Sequence, residues 1–227
     1  MIHKSLAAFD IDRTLSREFL VVPIMRAEVE SGLLASEVFT EVMRLLAVLK
    51  SGKLGYEDTA HQILTVHAEG LQGRTVDELF RNSRTFLSDH TELFRQFGSE
   101  VMSLLHSTHK LLAVTAEPEY MAQAVVETLD MDGAISSVYQ TEDGQFTGKV
   151  NRSLAYRREK RRLLGEMRPD FAFGDSVGDA DMLLHAHHAF CINPDVELAA
   201  IAQRHNWRVF NGEEDTEKII QSISCCL

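Results

Sequence analysis

Short apolar runs of strand length recur along the chain, separated by stretches in which apolar residues return every three or four positions. The runs are LAAF at 6–9, LLAV at 111–114, AISSVY at 134–139, FAF at 171–173, FCI at 190–192 and RVF at 208–210. Between them, Tyr120, Ala124, Val125 and Leu129, or Met182, Leu183 and Ala186, keep the helical period. Strands alternating with helices predict an α/β fold: a Rossmann-like parallel sheet with helices on both faces.

About a hundred residues separate the first two runs, far more than a strand–helix–strand crossover needs. Within residues 17–89, EVFTEVMRLLAVLK and YEDTAHQILTVHAEG read as helices, with Gly52, Gly55, Gly70 and Gly73 as breaks. The expected organisation is an α/β core formed by residues 1–16 and 90–227, with an inserted helical cap at 17–89. A helix at about 91–108 would return the chain to the core. EDGQFTG at 142–148 carries the Asp-Gly signature of a tight hairpin, expected as a small β excursion leaving the sheet.

The bulk composition narrows the partners. Asp and Glu outnumber Lys and Arg by 34 to 23, a net charge of −11, which disfavours nucleic acid and anionic membrane. Cys191, Cys225 and Cys226 lack metal-ligand spacing, and Ser224 occupies the position where a prenylation signal needs cysteine. No signal-like segment opens the sequence, so a cytoplasmic location is expected. His185, His187 and His188 do not share one helical face and read as surface or packing residues.

Candidate chemistry lies where the strands end, since ligands of open parallel sheets bind beyond the strands' carboxyl ends. LAAF runs into Asp10 and Asp12, LLAV into Thr115, and FAF through Gly174 into Asp175, with Asp179 soon after. Taken singly, Asp12, Thr14, Thr115 or Asp179 could be helix caps. Together they gather acids at one edge, where unpaired carboxylates repel by about 4 kcal/mol at about 4 Å and moderate dielectric. A hard cation such as Mg²⁺, sharing its shell with phosphate, would relieve that repulsion. Lys160 is the candidate for the remaining positive charge, against the alternative of an ordinary lysine among Arg157, Arg158, Arg161 and Arg162.

The set Asp10-Ile-Asp12-Arg-Thr14-Leu15, Thr115, Lys160 and Gly174-Asp175-Ser-Val-Gly-Asp179 resembles, in order, the four motifs of the haloacid dehalogenase-like hydrolases. GLQGRTVDELF, TAEPEYM, EDGQFTG and INPDVELAAIAQRHNWRVF extend the resemblance to the phosphoserine phosphatase-like branch over nearly the whole chain. It implies a magnesium-dependent phosphatase working on a small phosphorylated metabolite. Asp10 would be the nucleophile and Asp12 the acid and base. Thr115 would bind a phosphoryl oxygen and Lys160 would neutralise nucleophile and phosphate. Asp10, Asp12, Asp175 and Asp179 would form the metal site, Asp179 by orienting the lysine or a metal-bound water. Lys149, in Thr-Gly-Lys, competes with Lys160 for the lysine's role.

Departures from the branch pattern fall where substrate is chosen. Ala116 and Glu117 replace two glycines after Thr115, Glu18 stands one position before the expected acid, and Phe19 occupies that acid's place. Arg13 could reach a substrate anion, and Arg13, Glu18, Thr115 and Ala116 are the candidate substrate-binding residues. His67 is where a cap group for a substrate carboxylate would be sought, although it and His61 also fit structural or solvent-facing positions. Transfer of the phosphoryl group to an alcohol, and a silent binding protein of the same fold, are the alternatives. The chain is expected as a monomer or homodimer.

Overall fold

The computed structural model describes residues 4–50 and 55–227, so Gly52 lies outside the described residues. Seven strands form one sheet: β1 (Ser5–Phe9), β2 (His109–Pro118), β3 (Gly133–Glu142), β4 (Gln145–Arg152), β5 (Phe171–Gly174), β6 (His188–Ile192) and β7 (Arg208–Phe210). Their spatial order is β4-β3-β2-β1-β5-β6-β7. All pairings are parallel except β3 with β4. The strand order reverses at β1, with β2 on one side and β5 on the other, which opens a crevice at the sheet's carboxyl edge.

Strand alternation sorts the core into two faces. Ala7, Phe9, Ala113 and Phe173 point to one, where Phe9 and Phe173 stack at 4.6 Å. Ala8, Val114, Ala172 and Cys191 point to the other. Helices α5 (Gln96–Leu105), α6 (Glu119–Thr128) and α10 (Thr216–Ser224) pack on the first face. The second is covered by α7 (Arg157–Leu164), α8 (Ala180–His185) and α9 (Val196–His205).

Among the described residues, four α-helices lie between β1 and α5: α1 (Val21–Glu30), α2 (Ser36–Lys50), α3 (Tyr56–Gly70) and α4 (Val76–Asp89). Gly70, expected as a break, is the last residue of α3, and a Cβ there would come within 2.7 Å of the Val38 side chain. It serves the close approach of α2 and α3. Thr75 begins α4 with a full capping box to Glu78. The two stretches of chain that enter and leave this helical group meet at a bridge between Ser16 and Phe94, where Arg17 N–H bonds Leu93 O and Arg95 N–H bonds Leu15 O.

One expectation needs correction. The helix expected at 91–108 is shorter, because Phe94 is extended to pair with Ser16 and α5 starts only at Gln96. The hairpin around Asp143-Gly144, both with positive φ, is the expected excursion: β4 pairs only with Val138–Glu142 of β3, past the Gly133–Ser137 stretch that pairs with β2. Its turn clasps the loop between α3 and α4 through Gly73 N–H to Phe146 O and Phe146 N–H to Arg74 O.

Candidate active site

Asp10 follows β1, and its N–H continues the ladder to Phe173 O at 2.9 Å. The chain then turns through residues 11–15, with Arg13 in the left-handed region at φ 60. That turn separates the two aspartates. Asp10 Oδ1 accepts from Lys160 Nζ at 2.7 Å, whereas Asp12 Oδ1 accepts Leu20 N–H at 2.8 Å at the entry to α1. This bond ties down the residue that precedes α1, but α1 has no side-chain N-cap, so the capping alternative for Asp12 is not met.

Lys160 is a buried member of its basic helix, between Asp10 Oδ1 and Asp179 Oδ1, each 2.7 Å away. Lys149 is exposed on β4. Burial pulls the Lys160 ammonium down, but Asp10 and Asp179 outweigh it and hold its pKa above the ordinary value. Asp179 is fixed in turn: its Oδ2 accepts the N–H groups of Asp175 and Ser176, both at 3.1 Å, and the Ser176 hydroxyl at 3.3 Å.

Gly174 makes this cradle possible, because a Cβ on it would sit 2.5 Å from the Asp179 Cβ. Asp179 is held by Lys160 and by three donors from Asp175 and Ser176, and cannot yield. Gly174→Ala is expected to displace the Asp179–Lys160 pair and lower kcat by about 10²-fold with little change in KM, as steady-state kinetics would read.

Asp10, Asp175 and Asp179 each offer a carboxylate oxygen within 4.8 Å of the others, the one such group among the described residues. Asp175 Oδ2 is buried and accepts no hydrogen bond, although Arg13 Nη1 approaches to 3.4 Å. Burial, then Asp179, push the Asp10 pKa up to about 7 despite Lys160. Burial, then Asp10 and Asp179, raise Asp175 as well. These hard oxygens, one lacking any donor, fit a divalent cation of the magnesium class.

Thr115 is fully buried on β2, and its Oγ1 accepts Glu117 N–H at 3.1 Å, leaving the hydroxyl proton free to donate. Asp12, Arg13, Glu18, Ala116 and Lys160 line a cavity of about 430 Å³ at the sheet's edge, and Thr115 is not part of that lining. Glu18 is exposed at the cavity, and Arg13 lies 5.9 Å from the Phe19 ring centroid.

Two features were not found from sequence. Glu117 is buried against Asp12, and its Oε1 accepts Val21 N–H at 3.0 Å. Burial, then Asp12, push the Glu117 pKa well up, a hydrogen bond between the two carboxyl groups contributing. Asp12 is itself raised, chiefly by burial, and that hydrogen bond partly offsets the rise. The only signal of Glu117 in the sequence was an acid two positions beyond the strand-end threonine.

The second is a buried polar group joining α1 and α3 to α6 and β3. Tyr120 Oη donates to Glu28 Oε1 at 2.6 Å, and His67 Nε2 meets Glu28 Oε2 at 3.1 Å. His67 Nδ1 meets Tyr139 Oη at 3.2 Å. A neutral ring with its proton on Nε2 satisfies every partner, with Tyr139 donating to Nδ1. His67 is fully buried in this group and cannot grip a substrate. Glu28, four residues after Ile24 on the inward face of α1, was the available signal.

Comparison with known proteins agrees with this geometry. The family model of haloacid dehalogenase-like hydrolases matches residues 7–184. The phosphoserine phosphatase SerB1 of Mycobacterium tuberculosis is 24% identical over 218 residues, covering 89% of this chain and 69% of that one. A Bordetella pertussis protein of unknown function superposes with TM-score 0.73 at 22% identity, over 92% of this chain and 99% of that one. A substrate-bound phosphoserine phosphatase superposes with TM-score 0.68 at 18% identity, over 97% and 98%. A family model spanning most of the sequence, on a mostly parallel sheet with its acids at the carboxyl edge, settles the assignment: the chain belongs to the haloacid dehalogenase-like hydrolases.

Proposed function

We propose that this hydrolase is a magnesium-dependent phosphomonoesterase acting on a small phosphorylated metabolite through an aspartyl-phosphate at Asp10. The observation that carries this reading is the Asp10–Lys160–Asp179 chain beside the donor-free Asp175 oxygen. Asp10, Asp175 and the Asp12 backbone would hold the cation, which would supply charge neutralisation for the attack of a carboxylate on a phosphate dianion.

Asp10 forms the new bond to phosphorus while the ester oxygen departs, taking a proton from Asp12. Asp12, now a carboxylate, removes a proton from the water that attacks the phosphoryl group, which restores Asp10 and releases phosphate. Lys160 neutralises charge on the nucleophile and phosphoryl oxygens, and the Thr115 hydroxyl donates to one of them. Asp179 holds Lys160 in place. Arg13, Glu18 and Ala116 face the substrate, with helices α1–α4, residues 17–89, as the cap above the core. No helix among the described residues is long and apolar enough to cross a membrane. The expected setting is cytoplasmic.

The test is release of phosphate from an aryl phosphate with magnesium and with chelator; equal release in both would overturn the proposal. A second expectation follows from the Asp10 pKa. A carboxyl raised from 3.8 to about 7 contributes stability that is present below the first value and lost as pH climbs through the second. Magnesium, which needs the carboxylate, should therefore raise Tm more at about pH 8 than at about pH 5.5. Thermal denaturation with and without magnesium reads the difference, and an equal shift at both pH values would contradict it.

A further inference from the structure

The cavity above Asp10 continues past Asp12 into an annex of about 60 Å³, and the two share Asp12, Phe19, Leu49 and Ala116. The cap side of the annex is apolar: Phe19, Leu46, Leu49, Ala60, Ile63 and Leu64. Its core side is Ala116 with the acid pair Asp12 and Glu117. If Asp12 gives its proton to the departing oxygen, the carbon atoms bonded to that oxygen lie at the mouth of this annex. This step rests on the phosphatase reading above.

The cationic groups around the outer cavity, Arg13, Arg17 and Lys160, already face acids or carbonyls. Arg13 faces Asp175 at 3.4 Å. Arg17 pairs with Glu213 at 2.9 Å and donates through Nε to Glu92 O at 3.1 Å. His67 is enclosed by Glu28, Tyr120 and Tyr139. Among the described residues no cationic side chain lines the annex, so a carboxylate there would be buried without a partner and beside two acids.

We propose that the alcohol portion of the substrate is an uncharged alkyl or aryl group, selected by burial against Phe19, Leu49 and their neighbours in the annex. An amino-acid phosphoester, with a carboxylate and an ammonium close to the ester oxygen, is the poorer fit. Selectivity then comes from removing apolar surface from water, without fixed counter-ions.

The test is calorimetric titration of the magnesium-loaded protein with straight-chain alkylphosphonates, which bind without being hydrolysed. Affinity should rise by up to about fourfold per methylene over the first few carbons and then level off. The phosphonate analogue of phosphoserine should bind at least about tenfold more weakly than the alkylphosphonate of equal length. Leu49→Ser, at a half-buried position, should flatten the series. Affinity independent of chain length, no binding, or equal binding of the charged analogue would overturn the inference. Turnover of phenyl phosphate is read in parallel: its absence beside a clear chain-length dependence would count against the phosphatase reading and leave the apolar selectivity standing.

Discussion

Asp10→Asn is expected to lower magnesium-dependent phosphate release by about 10⁴-fold or more, because an amide oxygen cannot serve as the nucleophile. Folding should survive the change. The introduced amide oxygen can still accept the Lys160 bond, and the substitution removes a carboxylate whose charge is opposed first by burial and then by Asp179. The variant's metal-free Tm should therefore equal or exceed that of the wild type. Phosphate assays and thermal denaturation on one preparation check both halves, and a loss of activity accompanied by unfolding would remove the chemical interpretation.

Glu28→Ala is expected to destabilise the fold by about 3 kcal/mol or more without touching the reacting groups. Truncation leaves the Tyr120 hydroxyl and His67 Nε2–H facing a void where both side chains are essentially shut off from water. Glu28→Gln should cost less, since its amide oxygen still accepts one of those donors. Urea denaturation reads the difference. Because Glu28 and His67 come from α1 and α3 while Tyr120 and Tyr139 come from α6 and β3, a loss in both variants would show how firmly these helices are fastened to the sheet.

Six of the seven strands were legible because each is a short apolar run, and buried parallel strands need little else; β4 is mostly polar and was signalled only by its Asp-Gly turn. Asp10, Asp12, Thr115 and Asp175 were legible because each follows such a run, where a buried carboxylate or hydroxyl has no packing reason to be. Lys160 was harder, since its neighbours Arg157, Arg158, Arg161 and Arg162 make the helix look uniformly basic; only the folded chain turns it inward between two acids. The cluster around His67 was not legible at all. Its partners lie 39, 72 and 92 residues apart in their pairs, and a single sequence carries no record of pairing over such separations. Glu117 was visible as a departure from two glycines, but its bond to Asp12 depends on how α1 returns over β2. The extent of α5 differs from the expected helix for a similar reason: backbone pairing of Phe94 with Ser16 overrode the local pattern.

The most direct measurement is mass spectrometry of the protein quenched in acid during turnover of an aryl phosphate with magnesium. If Asp10 is the nucleophile, a peptide containing residues 7–15 carries the added mass of one phosphoryl group, and that mass is absent from Asp10→Asn and from protein quenched without magnesium. Steady turnover with no phosphorylated peptide, or with the phosphoryl group on any residue other than Asp10, would contradict it.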